Sequence, residues 1–127
     1  TLFHQGQLVE IDKESKRSRV IMSGLKSPHN IRRRCDGFIV SDTRANRVLL
    51  LDNEFHLEVD LRGEFNWVQD AIEMKDGINY LIGDSNNDRI VLIDRSSKIS
   101  SILQWIKSSR KIAIMELISV SQAKSIF

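Results

Sequence analysis

The chain has 127 residues, 41% of them hydrophobic and 28% charged, with a net charge of +2. That length suits one domain of the usual ~100–200 residues, and the balance excludes a largely disordered chain, a collagen and a bundle of membrane spans. No apolar run exceeds four residues (Val48–Leu51 and Ile112–Met115 are examples), against the ~20 that a spanning helix needs.

The charge is uneven. Residues 1–47 carry ten Lys/Arg and five Asp/Glu, residues 48–94 three and eleven, and residues 95–127 six and one. Nucleic-acid binders usually keep basic charge on one continuous face; here an acidic middle interrupts it. Cys35 is the only cysteine, so no intrachain disulfide and no multi-cysteine zinc site can form. It reads as a buried, inert thiol. A single cysteine and no signal-peptide pattern fit a reducing compartment and favour the cytoplasm. The chain starts at Thr1 rather than Met, which suggests a trimmed N-terminus or a piece of something longer.

The first element is Leu8-Val9-Glu10-Ile11-Asp12, an apolar run closed by an acid. The same arrangement returns 40 residues later as Val48–Asp52 and again as Ile90–Asp94. The repeat is longer than these runs. Asn30-Ile31 answers Asp70-Ala71, Asp36-Gly37 answers Asp76-Gly77, and Asp42-Thr43 answers Asp84-Ser85. The spacing is 40 up to Asp-Gly and 42 beyond it, with Ile78-Asn79 as the added pair. A ~40-residue period fits both helical pairs and four-stranded blades. Local chemistry selects strands. Asp-Gly between short β-prone runs is a hairpin signal, and Phe38–Val40, Val48–Leu51, Tyr80–Ile82 and Ile90–Ile93 are too short for helices and rich in strand formers.

Each unit therefore predicts four antiparallel strands. In the first they are Asn30–Arg34, Phe38–Ser41, the Val48 run and His56–Leu61. In the second they are Asp70–Met74, Tyr80–Gly83, the Ile90 run and Lys98–Leu103. Turns at 43–46 and 85–88 join the second strand to the third. The fold class is all-β: tandem four-stranded antiparallel blades of an incomplete propeller of about two to three blades. Residues 1–26 form the end of a first blade, 27–66 and 67–106 complete blades, and 107–127 a divergent strand or short helix capping the exposed blade. Trp67 and Trp105 fall at repeat core positions.

Pro28-x-x-Ile31, then Asp-Gly, a strand, Asp-Thr/Ser, a short Asn-containing turn, Arg-Val/Ile, an apolar strand and Asp: this order resembles the NHL repeat. It is also similar to repeats of the gluconolactonase-like and arylsulfotransferase-like propellers. The resemblance covers residues 7 to about 105. Val68-Gln69 departs from it where the first unit has Pro28-His29, and Arg44 stands where the family often has Gly. Closure takes at least about four blades, and the resemblance implies about six. A fragment, a truncated product or a self-assembling chain follows, with self-association through exposed blade edges.

Alternating strand direction puts the linker before each blade's first strand at the same end as the 43–46 and 85–88 turns. His29, Asn30, Gln69 and Asp70 would then border a channel mouth, the ligand-binding candidates of the chain. His29 could act as a general base or ligand, with Asp70 the other catalytic candidate. Asp70, Asn30 and Gln69 are oxygen donors of the kind Ca²⁺ takes, and the resemblance to gluconolactonase-like propellers implies a divalent metal at that mouth; no other cofactor is indicated. Asp42 with Arg47, and Asp84 with Arg89, recur at identical spacing and read as structural turn pairs. Arg32-Arg33-Arg34 splits between the two faces of a strand and reads as solvated charge, with an RNA-binding NHL surface as an alternative. His4, His29 and His56 have no short ligand spacing, and no G-x-S-x-G, Walker loop or H-E-x-x-H occurs. The leading expectation is a non-catalytic scaffold recognising a protein or small molecule. A propeller lactonase, hydrolase or sulfotransferase-like enzyme is the alternative; no membrane partner is expected.

Overall fold

Runs of three or four apolar residues bounded by turn formers can bury themselves only by pairing edge to edge and stacking face to face. In the computed structural model, which describes residues 1–104, they do both. A two-stranded sheet of β1 (Leu8–Ile11) and β2 (Ser18–Met22) is followed by two four-stranded sheets. The first holds β3 (Pro28–Arg34), β4 (Gly37–Asp42), β5 (Arg47–Leu51) and β6 (Leu57–Arg62) in that order. The second holds β7 (Val68–Glu73), β8 (Asn79–Asp84), β9 (Arg89–Asp94) and β10 (Ile99–Gln104). All pairings are antiparallel, and the described residues contain no α-helix.

The two larger sheets share register as well as order. Ile31 faces Val40 across β3 and β4, and Ala71 faces Ile82 across β7 and β8. Asp42 faces Arg47 in one, and Asp84 faces Arg89 in the other. Between those pairs runs one 3-10 turn, Thr43–Ala45 or Ser85–Asn87, closed by Asn46 or Asp88 in the left-handed region at φ 51° and 48°. Asn and Asp are the side chains that tolerate this conformation best. The turns after β1, β5 and β9 also match. Asp12, Asp52 and Asp94 each accept backbone N–H groups from the residues that follow.

The sheets stack. Ile39, Val48, Leu50 and Leu61 of the first four-stranded sheet pack on Ala71, Tyr80, Ile82, Val91 and Ile93 of the second. The opposite face of the first, Val40, Leu49 and Leu51, packs on Leu8 and Leu25 with Ile21 and Met22. The middle sheet is thus covered on both sides. Tyr80 is fully buried, and its hydroxyl has no hydrogen-bond partner among the described residues.

Several expectations need correction. The first strand of each sheet begins two residues earlier than predicted, at Pro28 and Val68, and β7 ends at Glu73 rather than Met74. Asp42 and Asp84 each end a strand and cap the 3-10 turn that follows, as structural turn residues. The Asp-Gly pairs mark hairpins but not in the same way. β3 and β4 are joined by Cys35-Asp36 alone, and Gly37 already belongs to β4. β7 and β8 are joined by the longer loop 74–78, with Gly77 inside it at φ 67°. Cys35, expected to be buried, is exposed because it sits on that two-residue turn. Trp67 is half-buried at φ 65° rather than in the core. Trp105 and the expected capping element over 107–127 lie outside the described residues.

Candidate functional site

β3 and β7 each open their sheet, and each breaks register at the same repeat position: between Pro28 and Asn30, and between Val68 and Asp70. A bulge leaves one residue out of the ladder and re-aims its side chain. The residues at those bulges are His29 and Gln69. The Gln69 amide nitrogen lies 3.0 Å from Nε2 and 3.1 Å from Nδ1 of His29. Its oxygen accepts from the Trp67 indole N–H at 3.0 Å. Phe3 meets the His29 ring edge-on at 6.0 Å and His4 at 5.1 Å. An exposed imidazole therefore sits against the edge of one aromatic ring, held by an amide.

One residue further along each strand, Asn30 donates to Asp70 Oδ1 at 2.7 Å. Asp70 is fully buried. Its Oδ1 also takes the Ala71 N–H at 2.9 Å and Arg32 Nε at 2.9 Å, and its Oδ2 takes Arg32 Nη2 at 2.6 Å. This forked guanidinium–carboxylate geometry is the strong kind. It compensates a charge that would otherwise be costly to bury.

All four predicted residues thus come together, but as two pairs. His29 bonds Gln69, Asp70 bonds Asn30 and Arg32, and no hydrogen bond joins His29 to Asp70. They do not form an acid–base dyad. Of the proposed Ca²⁺ donors, both Asp70 oxygens receive N–H groups and the Gln69 oxygen receives the Trp67 indole N–H. Asp52, Glu54 and His56 also lie close enough to hold a cation. Asp52 spends its Oδ1 on the N–H groups of Glu54 and His56, and the same turn recurs at Asp94 without a histidine, so the cluster reads as a turn.

Asp42 and Asp84 are fully buried braces. Asp42 accepts from the Lys26 N–H at 2.6 Å and Arg47 Nε at 2.8 Å. Asp84 accepts from the Asn66 N–H at 2.6 Å and Arg89 Nε at 2.7 Å. Each ties the linker before its sheet to the turn after the sheet's second strand. The predicted placement of linker and turn at the same end of the sheet holds in both units. Burial draws the Arg47 pKa down, but Asp42 and Asp60 outweigh it and leave the guanidinium more basic than usual.

The arginine run does alternate between faces, and only Arg33 is exposed charge, as expected of all three. Arg32 binds Asp70, Arg34 is buried against Glu58 and Glu73, and Arg33 lies over the Phe38 ring at 4.8 Å. Sequence reasoning missed Arg32 as a site residue. Its signal was the period of two from Asn30, which puts both side chains on the face toward the next sheet. Nothing in the sequence pointed to Phe3. No family model matches the chain, and no curated protein matches it either.

Proposed function

We propose that the stacked sheets are blades of an NHL-like β-propeller and that the chain is a non-catalytic binding scaffold for a protein segment or small molecule. The ligand would meet His29, Gln69 and Trp67 at the bulged ends of β3 and β7, with Phe3 beside them. One observation carries the reading: positions 40 residues apart in the repeat pair with each other across the sheets, His29 with Gln69 and Asn30 with Asp70. Innermost strands of successive blades meet in this way around an axis. The polar groups there are matched to one another, as a rigid recognition surface requires. The enzymatic alternative asks His29 or Asp70 to move a proton, and their partners are an amide and a guanidinium. The RNA alternative asks for a free basic face, and Arg32 and Arg34 are committed to carboxylates.

A small-molecule screen read by ¹⁵N chemical shifts tests this proposal. The Trp67 indole N–H and the Gln69 side-chain amide should move together on addition of a binder, the compound should be recovered unchanged, and Gln69→Ala should abolish the response. Conversion of a binder to product would overturn the non-catalytic reading. Calorimetry with Ca²⁺ should give the same trace for the wild type and Asp70→Ala.

A further inference from the structure

The stack has two ends, and both are apolar at positions that the repeat buries elsewhere. Ile11 is 64% exposed, whereas its equivalents Leu51 and Ile93 are both fully buried. Val9 is half-buried, and its equivalents Leu49 and Val91 are covered. Val20, on the neighbouring strand opposite Val9, is 53% exposed. At the other end, Leu81, Ile90 and Leu92 are half-buried, while their equivalents Ile39, Val48 and Leu50 are covered. Among the described residues, no strand lies on either surface.

The interior shows what covers such surfaces. The face carrying Ile39, Val48 and Leu50 is closed by the face carrying Val91 and Ile93. In repeat terms, the Val48 face takes the Leu49 face of the next sheet. Among the described residues, the surface left uncovered on β8–β9 is a Val48-type face, and the one left uncovered on β1–β2 is a Leu49-type face. One end of the stack is the complement of the other. We infer that these are two halves of one interface and that a second copy of this chain supplies the missing half, so that copies join head to tail.

Face type favours this arrangement over pairing of like ends, because within the stack a Val48-type face meets a Leu49-type face and never one of its own kind. Such a contact is heterologous: it uses two different patches, and each copy keeps one of each free for the next. The inference rests on the blade reading but not on a ligand at His29 and Gln69.

Light scattering of the 127-residue chain over a concentration series tests it. The wild type should exceed its monomer mass of 14.6 kDa. Ile11→Glu should be monomeric, and so should Ile90→Glu. An equimolar mixture of the two should give a 1:1 pair that grows no further, because one intact face remains on each. Circular dichroism checks that the variants fold. Should Ile90→Glu fail to fold, Ser101→Arg replaces it, since Ser101 is exposed and lies opposite Leu92. A wild type that stays monomeric throughout overturns the inference, and so does an Ile11→Glu chain that still associates. If the wild type is monomeric while Trp67 and Gln69 still respond to a binder, the inference falls alone.

Discussion

β5 and β9 hold the same place in their sheets, and both are apolar through their middle. Yet Val48, Leu49, Leu50 and Leu51 of β5 are all buried, while β9 buries only Val91 and Ile93. The difference lies in the neighbours. The middle sheet is covered on both faces, by β1–β2 and by β7–β10, and the last sheet is covered on one face by the described residues. A repeat writes the same strand into each unit, and the position in the stack decides which side chains leave water. Energetically equivalent letters therefore carry unequal weight.

Backbone approach gives the sharpest contrast. A Cβ on Gly37 would lie 2.0 Å from the Leu51 carbonyl oxygen and 2.8 Å from the Asp52 carbonyl carbon, whereas one on Gly77 would meet nothing within 4 Å. Gly37→Ala should cost about 4 kcal/mol or more, in the range reserved for real steric failure. Gly77→Ala should cost about 1–2 kcal/mol, the strain of its left-handed φ alone. Urea denaturation of both variants measures the gap. Equal losses would mean that the two hairpins are more alike than their loop lengths suggest.

Core truncation comes next. Leu50→Ala removes a side chain with no exposed surface and should cost about 2–5 kcal/mol. Leu92→Ala, at the same repeat position but half-buried, should cost less, because less apolar area leaves water. Similar values for both would show that the outer face of β7–β10 is as fully covered as the middle sheet.

A third contrast lies within the site. Asp70→Ala strips Arg32 and Asn30 of their acceptor and should cost about 2–3 kcal/mol, the upper range for a charged hydrogen bond, because Arg32 is exposed enough to recover water. Asn30→Ala keeps the Arg32–Asp70 fork and should cost about 1 kcal/mol. A double-mutant cycle between Arg32 and Asp70 should show coupling larger than the one between Asn30 and Asp70.

The repeat was readable because burial and turn chemistry impose it locally. Asp52 and Asp94 must each fold a turn on themselves, and Val48 and Ile90 must each follow an Arg that braces an Asp. The all-β class, the strand order and the end at which His29, Asn30, Gln69 and Asp70 gather followed from those constraints. What could not be read was contact between units. Arg32 looked like one of three solvated charges until the neighbouring sheet placed Asp70 beneath it. Cys35 and Trp67 were assigned by residue type, and both depend on a turn: one on a loop of only two residues, the other on a backbone in the left-handed region. Bulges at His29 and Gln69 leave no mark in composition, yet they aim the site.

The smallest effect concerns the turns, where the sheets should not differ at all. Asp52 sits below the usual carboxylate range because it accepts the backbone N–H groups of His56 and Glu54, aided by the His56 ring. Asp94 is lowered by the Ser96 hydroxyl and by the N–H groups of Lys98 and Ser96. Asp12 is lowered by Ser15 through its side chain and backbone. Each folded pKa lies below the unfolded value of about 3.9, so the unfolded chain binds protons first as pH falls. The stabilisation is complete above the unfolded value and drains away as pH drops through the folded ones. Wild-type stability should be level from neutrality down to about pH 5 and fall below about pH 4. The triple variant Asp12→Asn, Asp52→Asn, Asp94→Asn should start lower at neutral pH, fall less steeply and meet the wild type in strong acid. Some slope will survive in it, because Asp76, lowered by Asn79 and the Ile78 N–H, is untouched. Single variants at Asp52 and Asp94 should each lose part of the slope despite their unequal surroundings, since both carboxylates are held by hydrogen bonds from within their own turn. A variant that keeps the full wild-type slope would mean that its turn does not hold the carboxylate in this way.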